Sequence, residues 1–152
     1  LETKKRTMKK GPRAIRQDLK KKGIDKSLQD EVLETFTHEE QLDIAMQLAE
    51  KEVRAGNRKT PTQVKQKIQD VLMRKGYSFS IVSDVLERIQ LEREEDEWAD
   101  MIAAQGEKIW RKFAAKFSGT ERNMKVKQAL YQKGFPIEII NRFIEEKEHE
   151  EV

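Results

Sequence analysis

Apolar residues recur along this chain at steps of three and four, the spacing that brings side chains onto one face of an α-helix. Ile15 and Leu19 stand one turn apart before Gly23, and Leu28, Val32 and Phe36 follow it at four-residue steps. Leu42, Ala45, Met46, Ala49 and Val53 make a stripe, as do Val64, Ile68 and Leu72, and then Ile81, Val85 and Ile89. Trp98, Met101, Ile102, Ile109, Trp110, Phe113 and Phe117 line a longer helix, followed by Val126 with Leu130 and by Ile139, Ile140, Phe143 and Ile144. Strict apolar–polar alternation does not persist anywhere and β-branched residues are scattered, so the pattern predicts helices and no sheet.

The helix punctuation agrees. Pro12, Pro61 and Pro136 suit first turns, where the missing N–H costs nothing. Thr37-His38-Glu39-Glu40 and Thr60-Pro61-Thr62-Gln63 have capping-box spacing. Gly23, Gly76 and Gly134 each follow a basic last turn, as expected of left-handed C-terminal caps flanked by cations that complement the helix dipole. Gly106, inside the long helix, costs about 1 kcal/mol relative to Ala and marks either a kink or a close helix approach.

Aligned on those three glycines, which lie 53 and 58 positions apart, the chain shows an internal repeat. Eight residues before the glycine stand Ile15, Ile68 and Val126, and four before it Leu19, Leu72 and Leu130. Lys22, Lys75 and Lys133 precede it directly, and Ile24, Tyr77 and Phe135 follow it. Leu28, Ile81 and Ile139 come five after, and Val32, Val85 and Phe143 nine after. Each repeat reads as three helices: 37–55, 61–75 and 78–91 in the second, and 94–117, 121–133 and 136–148 in the third. The first has a short opening helix at 1–9, then 12–22 and 25–36. The expected fold class is all-α, tandem three-helix repeats forming an elongated, curved array, with repeats at 1–36, 37–92 and 93–152 and the first one truncated at its N-terminus.

Composition fits such an array. Of 152 residues only 36% are hydrophobic and 39% are charged, against roughly 45–50% and a quarter in ordinary globular domains. Thin cores are therefore expected, and a thick α/β enzyme core is not. With no Cys, thiol chemistry, disulfides and thiolate metal sites are excluded. His38 sits in a capping box and His149 in an acidic tail, and both read as exposed. No two glycines are closer than twelve positions, which excludes a Gly-rich phosphate loop. Ser78, Ser80 and Ser83 lack a nucleophile-elbow context. No catalytic residue, metal site or cofactor is expected. No apolar run is long enough to span a bilayer, so the expected location is the cytoplasm.

The net charge of +3 hides alternating blocks. Residues 1–22 hold ten basic against two acidic side chains, 54–76 seven against one, and 107–133 eight against two. Residues 30–52 hold one against eight, and 87–100 two against seven. The acidic group Glu92, Glu94, Glu95, Asp96, Glu97 and Asp100 reads either as a helix first turn complementing the macrodipole or as a surface for a basic partner.

The segment Gly11-Pro12-Arg13-Ala14-Ile15-Arg16-Gln17-Asp18-Leu19-Lys20-Lys21-Lys22-Gly23-Ile24 resembles the signature of the RecX family, regulators of the bacterial recombinase RecA. Val71-Leu72-Met73-Arg74-Lys75-Gly76-Tyr77 and Gln128-Ala129-Leu130-Tyr131-Gln132-Lys133-Gly134-Phe135 are similar to the family's recurrent leucine, basic residue, glycine, aromatic ending. The resemblance implies a non-enzymatic protein of three-helix units that lies in the groove of the RecA–DNA filament and modulates, typically inhibits, ATP hydrolysis and strand exchange. The chain departs from the family in lacking the opening one to one and a half repeats.

On this reading the second helices present a repeated basic face. Its members are Arg13, Arg16 and Lys20 with Lys21 and Lys22, then Lys65, Lys67, Arg74 and Lys75, then Lys125, Lys127 and Lys133. Such a face suits a polyanion or an acidic groove. The expected partners are a RecA-type recombinase filament and single- or double-stranded DNA, with no membrane, and the chain is expected to be a monomer. Two rivals stand beside this reading: a sequence-nonspecific nucleic-acid-binding protein and a protein-only helical scaffold. Trp98, Trp110, Phe113 and Phe117 have the spacing of a core stripe rather than a base-stacking platform, and Tyr77, Tyr131 and Phe135 are expected to anchor the turn after each second helix.

Overall fold

The computed structural model describes residues 9–150. The helix expected over 1–9 lies, apart from Lys9, outside the described residues. Those residues form eight helices and no strand: α1 (Pro12–Lys21), α2 (Lys26–Glu34), α3 (His38–Ala55), α4 (Pro61–Lys75), α5 (Phe79–Arg88), α6 (Glu95–Ala114), α7 (Gly119–Gln132) and α8 (Ile137–Glu150). The fold is an all-α tandem helical array, as the periodicity predicts.

Local chemistry sets the boundaries. Pro12 and Pro61 open α1 and α4, whereas Pro136 stands one residue ahead of α8 and its carbonyl accepts from the Ile140 amide (3.0 Å). At α4 the capping box closes both ways: the Gln63 amide donates to Thr60 Oγ1 (3.1 Å) and the Thr60 amide to Gln63 Oε1 (3.0 Å). At α3 the Glu40 amide donates to Thr37 Oγ1 (3.2 Å), and the Thr37 hydroxyl donates to the Glu40 carboxylate (3.4 Å). A further box opens α6, where the Glu94 amide donates to Glu97 Oε1 (3.0 Å). Glu95, Asp96 and Glu97 thus form the first turn of α6, at the positive end of its dipole.

The three cap glycines take one geometry. Gly23, Gly76 and Gly134 have φ of 75°, 96° and 99°. Their amides donate to Lys20, Met73 and Tyr131 carbonyls (3.0–3.1 Å), and the next amides, of Ile24, Tyr77 and Phe135, donate to Leu19, Leu72 and Leu130 (3.1–3.2 Å). This is the paired-bond motif that ends a helix on a left-handed residue. It turns the following residue inward, and Tyr77 and Phe135 are almost fully buried.

The chain divides into two compact units, Leu1–Ala55 with Lys65–Gln90, and Gly56–Val64 with Leu91–Val152. In the first, the start of α1 sits on the glycine end of α4. The Gly11 amide donates to the Lys75 carbonyl (2.7 Å), the Arg13 amide to Gly76 O (3.1 Å) and the Arg13 guanidinium to Met73 O (2.7 Å). Tyr77 Oη donates to Lys9 O (3.0 Å), and burial pushes this phenol's pKa up. A β-carbon on Gly76 would come within 2.5 Å of the Ala14 amide nitrogen. Arg16 ties α1 to α2 by donating to Gln29 Oε1 (3.2 Å) and Asp30 Oδ1 (2.8 Å). Gln29, 6% exposed, therefore faces inward, and Leu28, expected in the apolar stripe, is 50% exposed.

In the second unit the start of α4 meets the end of α7 in the same way: Thr60 Oγ1 donates to the Lys133 carbonyl, and Thr62 packs on Gly134. The core is aromatic. Trp98 meets Phe135 edge-on at 5.7 Å, and Trp110 meets Phe143 at 6.4 Å. Arg122 lies 4.3 Å from the Trp110 ring. A β-carbon on Gly106 would lie 2.8 Å from the tip of Phe143, so this glycine serves a close helix approach.

Two stability outcomes follow. In urea unfolding, Gly23→Ala, with open space around it, is expected to lose about 1–2 kcal/mol from left-handed strain alone, and Gly76→Ala a further 1–3 kcal/mol or so from overpacking; equal losses would contradict the packing described at Gly76. Arg16→Ala is expected to cost about 1–3 kcal/mol because it strips the donor from a buried amide oxygen, while Lys20→Ala stays within about 0.5 kcal/mol.

Candidate functional site

The twelve basic residues singled out by sequence occupy three helices, and the structure sorts them by what each side chain touches. Arg13 and Arg16 hold the fold together through the bonds to Met73, Gln29 and Asp30. Lys20 and Lys21 are exposed in the last turn of α1, with Lys22 exposed at its cap. On α4, Lys65, Lys67 and Arg74 are exposed and Lys75 is half-buried. On α7, Lys125 is partly covered, with its Nζ 4.7 Å from the Phe117 ring, and Lys127 is partly covered, while Lys133 is exposed at its cap.

Counting back from the cap glycine shows how far the basic face repeats. Lysine directly before the glycine is common to all three helices. Lys21 matches Arg74 two positions before it, Arg16 matches Lys127 at seven, and Lys67 matches Lys125 at nine. The positions ten and three before it change character, Arg13 and Lys20 in α1, Gln66 and Met73 in α4, and Met124 and Tyr131 in α7, whereas the position six before it stays polar as Gln17, Asp70 and Gln128. One helical face thus runs from basic to apolar along the chain.

Two concave surfaces result. In the first unit an open groove of about 690 Å³ runs between α1 and the end of α4, lined by Arg13, Gln17, Asp70, Met73 and Arg74. Two guanidinium groups border it with one carboxylate, Asp70, which accepts from Gln66 Nε2 (3.1 Å). In the second unit Met124, Lys125, Lys127, Gln128 and Tyr131 form an open surface with Ile137. Tyr131 is 65% exposed and so does not anchor the turn; Phe135, one residue after the glycine, does that work, as Tyr77 does in the first unit. The repeat register carried the signal, since Tyr131 falls three positions before Gly134, in the column of Lys20 and Met73, and not in the column after the glycine that Tyr77 and Phe135 fill.

An ion pair between two helices lies apart from both surfaces. Lys147 donates to the Glu107 carboxylate between α6 and α8, which lowers the carboxyl pKa and raises that of the ammonium. Among the described residues no group of three or more His, Asp or Glu side chains is placed to hold a metal ion, and no helix is long and apolar enough to cross a membrane.

Two family models match the chain. The RecX second three-helix domain covers residues 1–33, and the RecX third three-helix domain covers 39–86 and again 95–144. Among curated relatives, the regulatory protein RecX of Halalkalibacterium halodurans is 35% identical over 144 residues, 95% of this chain and 54% of that protein. The regulatory protein RecX of Enterococcus faecalis is 37% identical over 145 residues, 95% and 54%. That of Bacillus subtilis is 34% identical over 148 residues, 97% and 55%. The chain spans about half the length of these relatives, and no solved structure matches it. Its glycine-capped basic helices fall within segments that RecX domain models cover, and the chain belongs to the RecX family.

Proposed function

We propose that this chain acts by binding, as a monomeric cytoplasmic regulator that engages a RecA-type recombinase–DNA filament and restrains its ATPase and strand exchange. The repeats at 1–36, 37–92 and 93–152 would each supply one contact. The observation that carries the reading is the set of exposed cations on successive second helices, Lys20 and Lys21, then Lys65, Lys67 and Arg74, then Lys133. Membership of a family whose named relatives are regulatory proteins supports it.

The mechanism is linked weak contacts. Each basic helix end offers a modest attraction to phosphate or to acidic side chains, and tethering several on one chain multiplies them into avidity. A chain bound to several protomers at once holds them in one relative geometry, which opposes the rearrangements that accompany hydrolysis and strand exchange. The second reading, binding to bare single- or double-stranded DNA, rests on the same cations.

The test compares the DNA-dependent ATPase of the cognate recombinase with and without added chain, and sedimentation of the chain with filaments at low salt. Inhibition and co-sedimentation are expected. Lys20→Ala, Lys65→Ala and Lys67→Ala together should weaken binding and reduce the slope of log affinity against log salt by about one per lysine. Absence of both inhibition and co-sedimentation would refute the filament reading, and equal affinity for bare DNA and filaments would favour the second.

A further inference from the structure

Tyr131 is an aromatic residue of the second unit that neither the core nor the turn uses. On α7 it follows Met124 and Gln128 at helical spacing, and Met124 and Tyr131 are 66% and 65% exposed. The other large rings of this unit meet one another, Trp98 with Phe135, Trp110 with Phe143 and Phe113 with Phe117. Beside Tyr131 on the same open surface stand Lys125 and Lys127, with Glu121 as the one acidic residue lining it. The first unit carries its own version: Phe79, 67% exposed at the start of α5, shares a surface with Lys65 and Gln69 of α4, with Glu87 as its acidic member. In both units an uncovered ring stands beside a lysine of the second helix.

A planar ring offered to solvent next to ammonium groups matches one ligand chemistry well. Single-stranded nucleic acid presents flat, unstacked bases and a regular anionic backbone, so a base covers the ring while lysines meet the flanking phosphates. In a duplex the bases already cover one another and present no free face. An apolar protein segment would cover Met124 and Tyr131 but would give the adjacent lysines nothing to pair with. We propose that Tyr131, and Phe79 in the first unit, stack on bases of single-stranded DNA, with Lys125 and Lys127, and Lys65, neutralising the neighbouring phosphates. The proposal rests on the nucleic-acid part of the functional reading and specifies the strand state and the contact.

The experiment is fluorescence anisotropy at fixed salt with a labelled oligothymidylate, an abasic strand of equal length and a duplex. Wild type should prefer the oligothymidylate to the abasic strand. Tyr131→Ala should weaken oligothymidylate binding by about 5- to 100-fold while leaving abasic and duplex affinities unchanged, Tyr131→Phe should retain wild-type binding, and Phe79→Ala should act in the same direction as Tyr131→Ala. Matching thermal melts establish that the exposed substitutions leave the fold intact. Oligothymidylate binding that is indifferent to both alanine variants overturns stacking while the basic-face reading stands. Loss confined to recombinase filaments, with bare-strand affinity intact, overturns it in favour of a protein contact. No binding of wild type to any of the three DNAs overturns stacking together with the nucleic-acid reading beneath it.

Discussion

The last turn of an α-helix leaves carbonyl oxygens without donors, and the first turn leaves amides without acceptors. In this chain the two deficits cancel at one kind of joint. A left-handed glycine closes the second helix upon itself, and the carbonyls that remain, Lys75 and Gly76 in one unit, accept the Gly11 and Arg13 amides from the start of α1. In the other unit the Thr60 hydroxyl donates to the Lys133 carbonyl. Opposite helix dipole ends meet there, which adds attraction to hydrogen bonding. The joint needs its cap glycine twice over, for the positive φ and for the missing β-carbon, and on the incoming helix it favours proline after the docking residue because proline brings no further orphan amide. Gly11-Pro12 and Thr60-Pro61 both satisfy that demand.

The joint explains how so polar a chain folds. With helix ends docked locally, each unit needs only a thin apolar layer. The layer is adjusted at matched positions: counted from the capping boxes of α3 and α6, Ala49 corresponds to Gly106, and counted from the cap glycines, Val85 corresponds to Phe143. All four are buried. In the second unit the smaller residue on the first helix makes room for the larger ring on the third. The charge blocks divide in the same way, since part of the basic face and the first turn of α6 serve helix ends while Lys20, Lys65 and Lys67 are exposed.

Much of this was legible in the sequence because period and punctuation are local. The glycine register gave the buried columns Ile15, Ile68, Val126 and Leu19, Leu72, Leu130 and the left-handed caps. Other features depend on tertiary partners that no period encodes. Leu28 lies outward and Gln29 inward because Arg16 reaches across from α1. Arg13 and Arg16 look like surface cations in sequence, yet their donors serve carbonyl, amide and carboxylate oxygens of neighbouring elements. The α6 box carries no sequence signal because glutamate stands at its first position, where serine or threonine is usual. Tyr131 has the residue type of a turn aromatic, but its place three positions before Gly134 turns it outward.

The claim on which the rest depends is that helix starts are fastened to glycine ends. Native-state hydrogen exchange tests it residue by residue, because the Gly11 and Arg13 amides precede or open α1 and have no acceptor within it. If the joint holds, both amides exchange with protection approaching that of Ile68 and Leu72 in α4. Exchange of Gly11 and Arg13 at unprotected rates, while the interior amides of α1 and α4 stay protected, would contradict it.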